Sequence, residues 1–145
     1  MGPISRRLFG TYLNYPEKYF EGKKAVYVDA VHGSMLMVDG KKFLEAGGYD
    51  EGIFLYQEEA VLGKRLAKLG YRSLLVLNQR YRHEHSVSIS KSFQSQISRQ
   101  KLRNESVLYY MKQYLGIGPV RETIAKIWFA IILLEIRAAS LIGIL

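Results

Sequence analysis

Glu58-Glu59-Ala60-Val61-Leu62-Gly63-Lys64-Arg65-Leu66-Ala67-Lys68-Leu69-Gly70 is the stretch from which the fold of this chain can be worked out. Leu62, Leu66 and Leu69 recur at i, i+4 and i+7, with Lys64, Arg65 and Lys68 as the basic complement, so the spacing predicts a helix. The acids stand at its N-terminal end, where the helix dipole favours negative charge, and Gly70 is a natural stop. Beyond Gly70, Ser73-Leu74-Leu75-Val76-Leu77 reads as a buried strand. Before the acids comes a turn, Gly47-Gly48-Tyr49-Asp50-Glu51-Gly52, and then the aromatic run Phe54-Leu55-Tyr56. Further upstream, Ala25-Val26-Tyr27-Val28-Asp29-Ala30-Val31 has the β-branched and aromatic content of a strand. Strand, helix, strand implies an α/β layer.

Between that first strand and the glycine turn, His32-Gly33-Ser34 is an interruption, and Met35-Leu36-Met37-Val38 reads as a resumed extended run. Asp39-Gly40 signals a turn, and Lys41 to Ala46 reads as a short helix stopped by Gly47-Gly48. Residues 1–22 are aromatic-rich without a clear period and read as irregular or partly helical. After His83-Glu84-His85-Ser86-Val87-Ser88 the character changes. Residues 91–115 place Phe93, Ile97, Leu108, Met111 and Leu115 on roughly one helical face. Gly116-Ile117-Gly118-Pro119 is a break, and residues 120–145 read as a final helix centred on Ile127 to Leu134. The expected division is 1–90, an α/β portion, and 91–145, a basic and apolar helical extension.

The chain has 145 residues, 48% of them hydrophobic, which fits one domain or one domain with an appendage. It contains no cysteine, so disulfides and thiolate metal sites are excluded, which suits a cytoplasmic setting. The formal net charge is +8, a balance compatible with nucleic acid, anionic lipid or a phosphorylated substrate. The basic residues Lys91, Arg99, Lys101 and Arg103 lack an aromatic–basic interleave, so no nucleic-acid partner is expected. Their place ahead of an apolar helix favours an anionic membrane surface. Residues 127–134 are too short for a bilayer span of about 20 residues. Extending to Leu145 brings in Glu135 and Arg137, which are costly at mid-membrane. An interfacial helix, packing on its own domain and a homo-oligomer through this helix all remain open, with the membrane surface preferred.

Two adjacent carboxylates behind a glycine turn suit a positioned general base. Neighbours on a helix point about 100° apart, so Glu58 and Glu59 are not expected to aim at one atom. Taken alone, the pair reads as helix-start acids complementing the dipole. Asp50 reads as a turn former. Gly33, between His32 and Ser34, permits a close approach by another chain or a ligand. His83 and His85 face one way in an extended segment but do not complete a metal shell.

The ordered series Val31-His32-Gly33-Ser34-Met35-Leu36-Met37, Phe43 to Glu51, Tyr56-Gln57-Glu58-Glu59, Leu62 to Tyr71 and His83-Glu84-His85-Ser86-Val87-Ser88 resembles the acceptor side of the inverting family-2 glycosyltransferases, especially the rhamnosyltransferase-like members of bacterial polysaccharide synthesis. The resemblance covers about residues 24–90. It implies a partial GT-A-like mixed sheet with helices, followed by the C-terminal helical extension. In that family the motif is aromatic-x-Glu-Asp with the second acid as base, which falls on Glu59 here, one methylene longer, with Glu58 beside it. The resemblance makes His32, Gly33, Ser34, Tyr56 and Ser88 substrate-binding candidates, and places His83 where a late histidine approaches the donor diphosphate or its metal. A backbone-bonded histidine is the competing reading. Val61 stands where many relatives carry a third acid.

The nucleotide-sugar side of such an enzyme is not found. The aspartates are Asp29, Asp39 and Asp50, with no Asp-x-Asp pair, and no glycine-rich phosphate loop opens a helix. The expectation is a C-terminal fragment, a separately encoded half or a truncated product, inactive alone. A nucleotide-sugar-binding half or partner chain would bring donor and divalent metal (Mg2+ or Mn2+), and the acceptor would be a polysaccharide or lipid-linked sugar. The expected location is cytoplasmic and peripheral on the inner face of the cell membrane. The competing class is a non-catalytic, membrane-associated scaffolding module that partners another glycosyltransferase chain.

Overall fold

β1 (Ala25–Val28) and β2 (Ser73–Val76) pair antiparallel, with Val26 opposite Leu75 and Tyr27 opposite Leu74. Val26 is buried, while Tyr27, Leu74 and Val76 on the alternate face are about half exposed, as the two-residue period of a strand requires. The computed structural model describes residues 15–82 and 95–142. These fall into two units, one from Pro16 to Arg82 and one from Ser95 to Ile142. The architecture is mixed α/β in the first and helical in the second.

In the first unit, α1 (Gly40–Glu45) starts because the Asp39 carboxylate accepts the amides of Lys41 at 2.9 Å and Lys42 at 3.2 Å. It ends where the Gly48 amide returns to the Phe43 carbonyl at 2.9 Å. Gly47 at φ 80° and Gly48 at φ 64° take the left-handed turn that side chains resist. α2 (Glu58–Lys68) supplies the core: Val61 is fully buried and Leu62 nearly so, and Ile53, before the helix, is buried too. Burying a side chain of this size is worth about 1.5–3 kcal/mol. The buried face is thus turned toward Val61 and Leu62, and Leu69 at the end of the predicted leucine row is 41% exposed.

The extended run expected over Met35 to Val38 does not pair with a strand. Gly33–Met35 form a 3-10 turn, and Met37 is 91% exposed. Apolar content alone does not supply the ladder partner that makes a strand. The outer edge of β2 is also open. Leu77 donates to the Lys24 carbonyl at 2.8 Å, so by alternation Leu74 and Val76 point their backbone groups away from β1. Among the described residues no hydrogen bond reaches those groups.

The second unit is a helix pair, α3 (Gln96–Gln113) and α4 (Pro119–Leu141). Ser95 caps α3 by accepting the Ser98 amide at 3.2 Å, and Pro119 opens α4 at the first helical position, where its missing N–H costs nothing. Lys112 of α3 and Lys126 of α4 both pair with Glu122, at 3.2 Å and 2.7 Å. Their hydrogen bonds, that of Lys126 first, hold its carboxyl below the usual range. α4 buries Ala125, Ile132, Ile136 and Ala139. The face of α3 buries Gln100, Asn104 and Ser106, with Gln100 Nε2 donating to Asn104 Oδ1 at 2.8 Å. This polar seam lies apart from the apolar face read over residues 91–115. Phe93 lies outside the described residues.

Candidate active site

Two glycines let α2 ride on the chain that leaves β1. A Cβ on Gly63 would run into the Asp29 carbonyl oxygen, and its carbonyl carbon is only 3.2 Å away. One turn earlier on the same face, Glu59 reaches Gly33, whose amide donates to Oε1 at 2.8 Å. A Cβ on Gly33 would collide with that oxygen and lie 3.1 Å from the carboxyl carbon. The close approach foreseen at Gly33 is therefore filled by Glu59.

The chain enters α2 through two consecutive residues in the left-handed region, Tyr56 at φ 68° and Gln57 at φ 72°. Neither is glycine, so each costs on the order of 1–3 kcal/mol. Gln57 is the cap residue yet contributes no side-chain capping bond. The strained entry sets the direction in which Tyr56, Glu58 and Glu59 leave the backbone. Arg65, also on α2, holds the preceding turn: Nη1 donates to the Gly47 and Gly48 carbonyls at 3.0 and 3.1 Å, and Nη2 pairs with Asp50 at 3.3 Å. Asp50 Oδ1 accepts the Gly52 amide at 2.9 Å. Asp50 is thus a turn-forming residue tied to the helix.

Glu58 takes a different environment. Its Oε2 is buried and has no hydrogen-bond partner among the described residues. Burial raises the pKa of its carboxyl, its own backbone amide opposes the rise, the Glu59 charge adds to it, and His32 opposes it. The two acids are separated in role: one is held on a backbone amide, the other faces inward and retains its proton to higher pH.

Beside them, His32 Nδ1 accepts the Ser34 amide at 3.1 Å, which puts the ring proton on Nε2. Ser34 Oγ is 2.6 Å from the same nitrogen and 2.5 Å from the Tyr81 hydroxyl. With Nδ1 as acceptor, the donors run from Tyr81 through Ser34 to His32. Tyr81 was not read from the sequence; the available signal was its place in the basic run that leads to His83. His83 and Ser88 lie outside the described residues. Among the described residues no three His, Asp or Glu side chains come together as metal ligands. A separate cavity of about 300 Å³, lined by Val31, Leu36, Asp39, Lys42, Leu66 and Leu74 among others, contains none of these site residues.

Part of this chain is related to a rhamnosyltransferase. It is 37% identical over 59 residues to the N-acetylglucosaminyl-diphospho-decaprenol L-rhamnosyltransferase of Mycobacterium tuberculosis, in strains CDC 1551 / Oshkosh and ATCC 25618 / H37Rv. The matched stretch is 41% of this chain and 19% of the relative, so the chain spans about a fifth of the length of the curated relatives it matches. No protein-family model matches, and no solved structure matches significantly. The relation supports a glycosyltransferase-like character.

Proposed function

We propose that the Pro16–Arg82 unit is the acceptor side of an inverting, GT-A-like glycosyltransferase. Glu59 is its general base, and the acceptor hydroxyl is received near His32, Gly33, Ser34 and Tyr56. The observation that carries this is the bond from the Gly33 amide to Glu59 Oε1. It fixes a carboxylate at the mouth of a helix, against a glycine where any Cβ would push that carboxylate aside. In the reaction the base takes the acceptor hydroxyl proton, the oxygen bonds to the anomeric carbon, and the bond to the nucleoside diphosphate breaks. Glu58 Oε2 is enclosed, so it does not serve as the atom that meets the acceptor. By analogy with the relative, the acceptor class is an N-acetylglucosaminyl diphospholipid.

Donor binding belongs to further polypeptide, in the same chain or another. The open edge of β2 supports this, because two short strands alone make a marginal sheet. Any divalent metal at the diphosphate would come with that donor side, joined by His83 if it lies there. A lipid-linked acceptor also implies a peripheral site on the inner face of a cell membrane. Among the described residues no helix is long and apolar enough to cross one. The exposed Lys101 and Arg103 of α3 suit an anionic surface, where each cation adds about 1 kcal/mol.

The test is turnover with the donor-binding polypeptide supplied. Glu59→Gln lowers it by about 10²-fold or more, as loss of a general base does, and Glu58→Gln lowers it less. Equal, small losses from both would reduce these acids to helix-start charges and favour the non-catalytic scaffolding reading.

A further inference from the structure

α4 carries two apolar faces, and its helical neighbour covers one. The buried side holds Ala125, Ile132, Ile136 and Ala139. On the other side Val120, Ile124, Ile127, Ile131, Leu134 and Leu141 are 47% to 83% exposed. With Ala138 they recur at alternating spacings of four and three residues from one end of the helix to the other. That is an average period of 3.5 sustained over three heptads, the pattern of a left-handed helix–helix seam.

We propose that this seam pairs α4 with α4 of a second copy of the chain. The row contains no charged or hydroxyl side chain, so it is complementary to itself. Arg121, Trp128 and Glu135 flank it on one side, Thr123, Ala130 and Arg137 on the other, and its sustained 3.5-residue period is that of a helix facing another helix rather than the 3.6-residue period of a lone helix lying in lipid. In an antiparallel pair Val120 meets Ala138, Ile124 meets Leu134 and Ile127 meets Ile131. The same arrangement puts Arg121 of each copy beside Glu135 of the other, twice over by symmetry. A monomer's largest apolar patch is typically about 300–600 Å² and commonly functional, and a continuous row of six large aliphatic side chains is of that kind. The inference does not depend on glycosyl transfer.

Sedimentation equilibrium of the full chain tests it. The expected wild-type mass is about twice the 16.7 kDa of one chain. Changing both Ile127→Glu and Ile131→Glu weakens dimerisation by more than about 100-fold, as charges buried in an apolar seam do. Both positions are exposed in the single chain, so the circular dichroism of the variant stays that of the wild type. The protein has no cysteine, which gives a second readout free of any folding effect of the charges. Mixed Ile127→Cys and Ile131→Cys chains form the mixed disulfide faster than either forms its own. A wild type that stays monomeric, a charged variant that stays dimeric, or no preference for the mixed disulfide would each overturn the proposal. So would a monomer that floats with phosphatidylglycerol vesicles through this face, because lipid would then be its occupant.

Discussion

Glu59 and Gly33 are 26 residues apart in the chain and 2.8 Å apart in space. The backbone at Gly33 does not need glycine, since its φ is outside the left-handed region. Gly33→Ala therefore acts through the collision with Glu59 alone: the variant folds with nearly wild-type Tm, and the Glu59 carboxylate is displaced. In the assembled transferase kcat falls by about tenfold or more, and Gly33→Ala combined with Glu59→Gln adds little to Glu59→Gln, which steady-state kinetics of the two variants and the pair would show. Glu58 gives a pH prediction. Its folded pKa is raised by burial, so its contribution to stability is full below the unfolded carboxylate pKa and is lost as pH rises through the folded value. Glu58→Gln removes this dependence. Thermal melts should show the variant gaining on the wild type between acid and neutral pH; a difference constant with pH would contradict the inward placement. The two acids were legible as a pair because they open an amphipathic helix. Which one is held and which one faces inward was not, because that depends on a glycine 26 residues upstream. Tyr81 was illegible for the same reason, meeting Ser34 only through the fold.

At the scale of elements, α2 is placed by one face. Glu59 and Gly63 lie one turn apart and meet Gly33 and Asp29. Gly63→Ala puts a methyl against backbone that cannot rotate away, an overpacking cost of typically 1–3 kcal/mol or more. Denaturant unfolding measures it, and a gain in stability from the better helix former would show that the helix is free to shift. Arg65→Ala removes the tie to Asp50 and to the Gly47 and Gly48 carbonyls, with an expected loss of about 1–3 kcal/mol. α2 was legible almost to the residue: Glu58 to Leu69 was expected and Glu58–Lys68 is found. Periods and caps are local properties of a helix. Met35 to Val38 misled because strand formation needs a partner, which the local sequence does not disclose. The polar seam of α3 misled in the other direction, since Gln100 and Asn104 satisfy part of their hydrogen bonding against each other and can be buried.

At the scale of the molecule, an α/β unit and a helical pair divide the described chain, and the open edge of β2 and the seam of α4 are its two unfilled surfaces. On its own the chain should not take up a nucleotide sugar, because its sequence holds no glycine-rich phosphate loop and no Asp-x-Asp pair. Calorimetry with nucleoside diphosphate sugars and Mg2+ or Mn2+ checks this, and micromolar stoichiometric binding would contradict it. The proposed acceptor site is built from the α/β unit's own residues, and there the proposal meets its most direct test. An amide-resolved NMR titration of the full chain with a short-chain N-acetylglucosaminyl diphospholipid should shift the Gly33, Ser34, Tyr56 and Glu59 resonances together along one saturable curve. If those four amides stay unmoved at millimolar ligand, or if the shifts gather at the cavity between Val31 and Leu74 instead, the acceptor site is not where Glu59 meets Gly33.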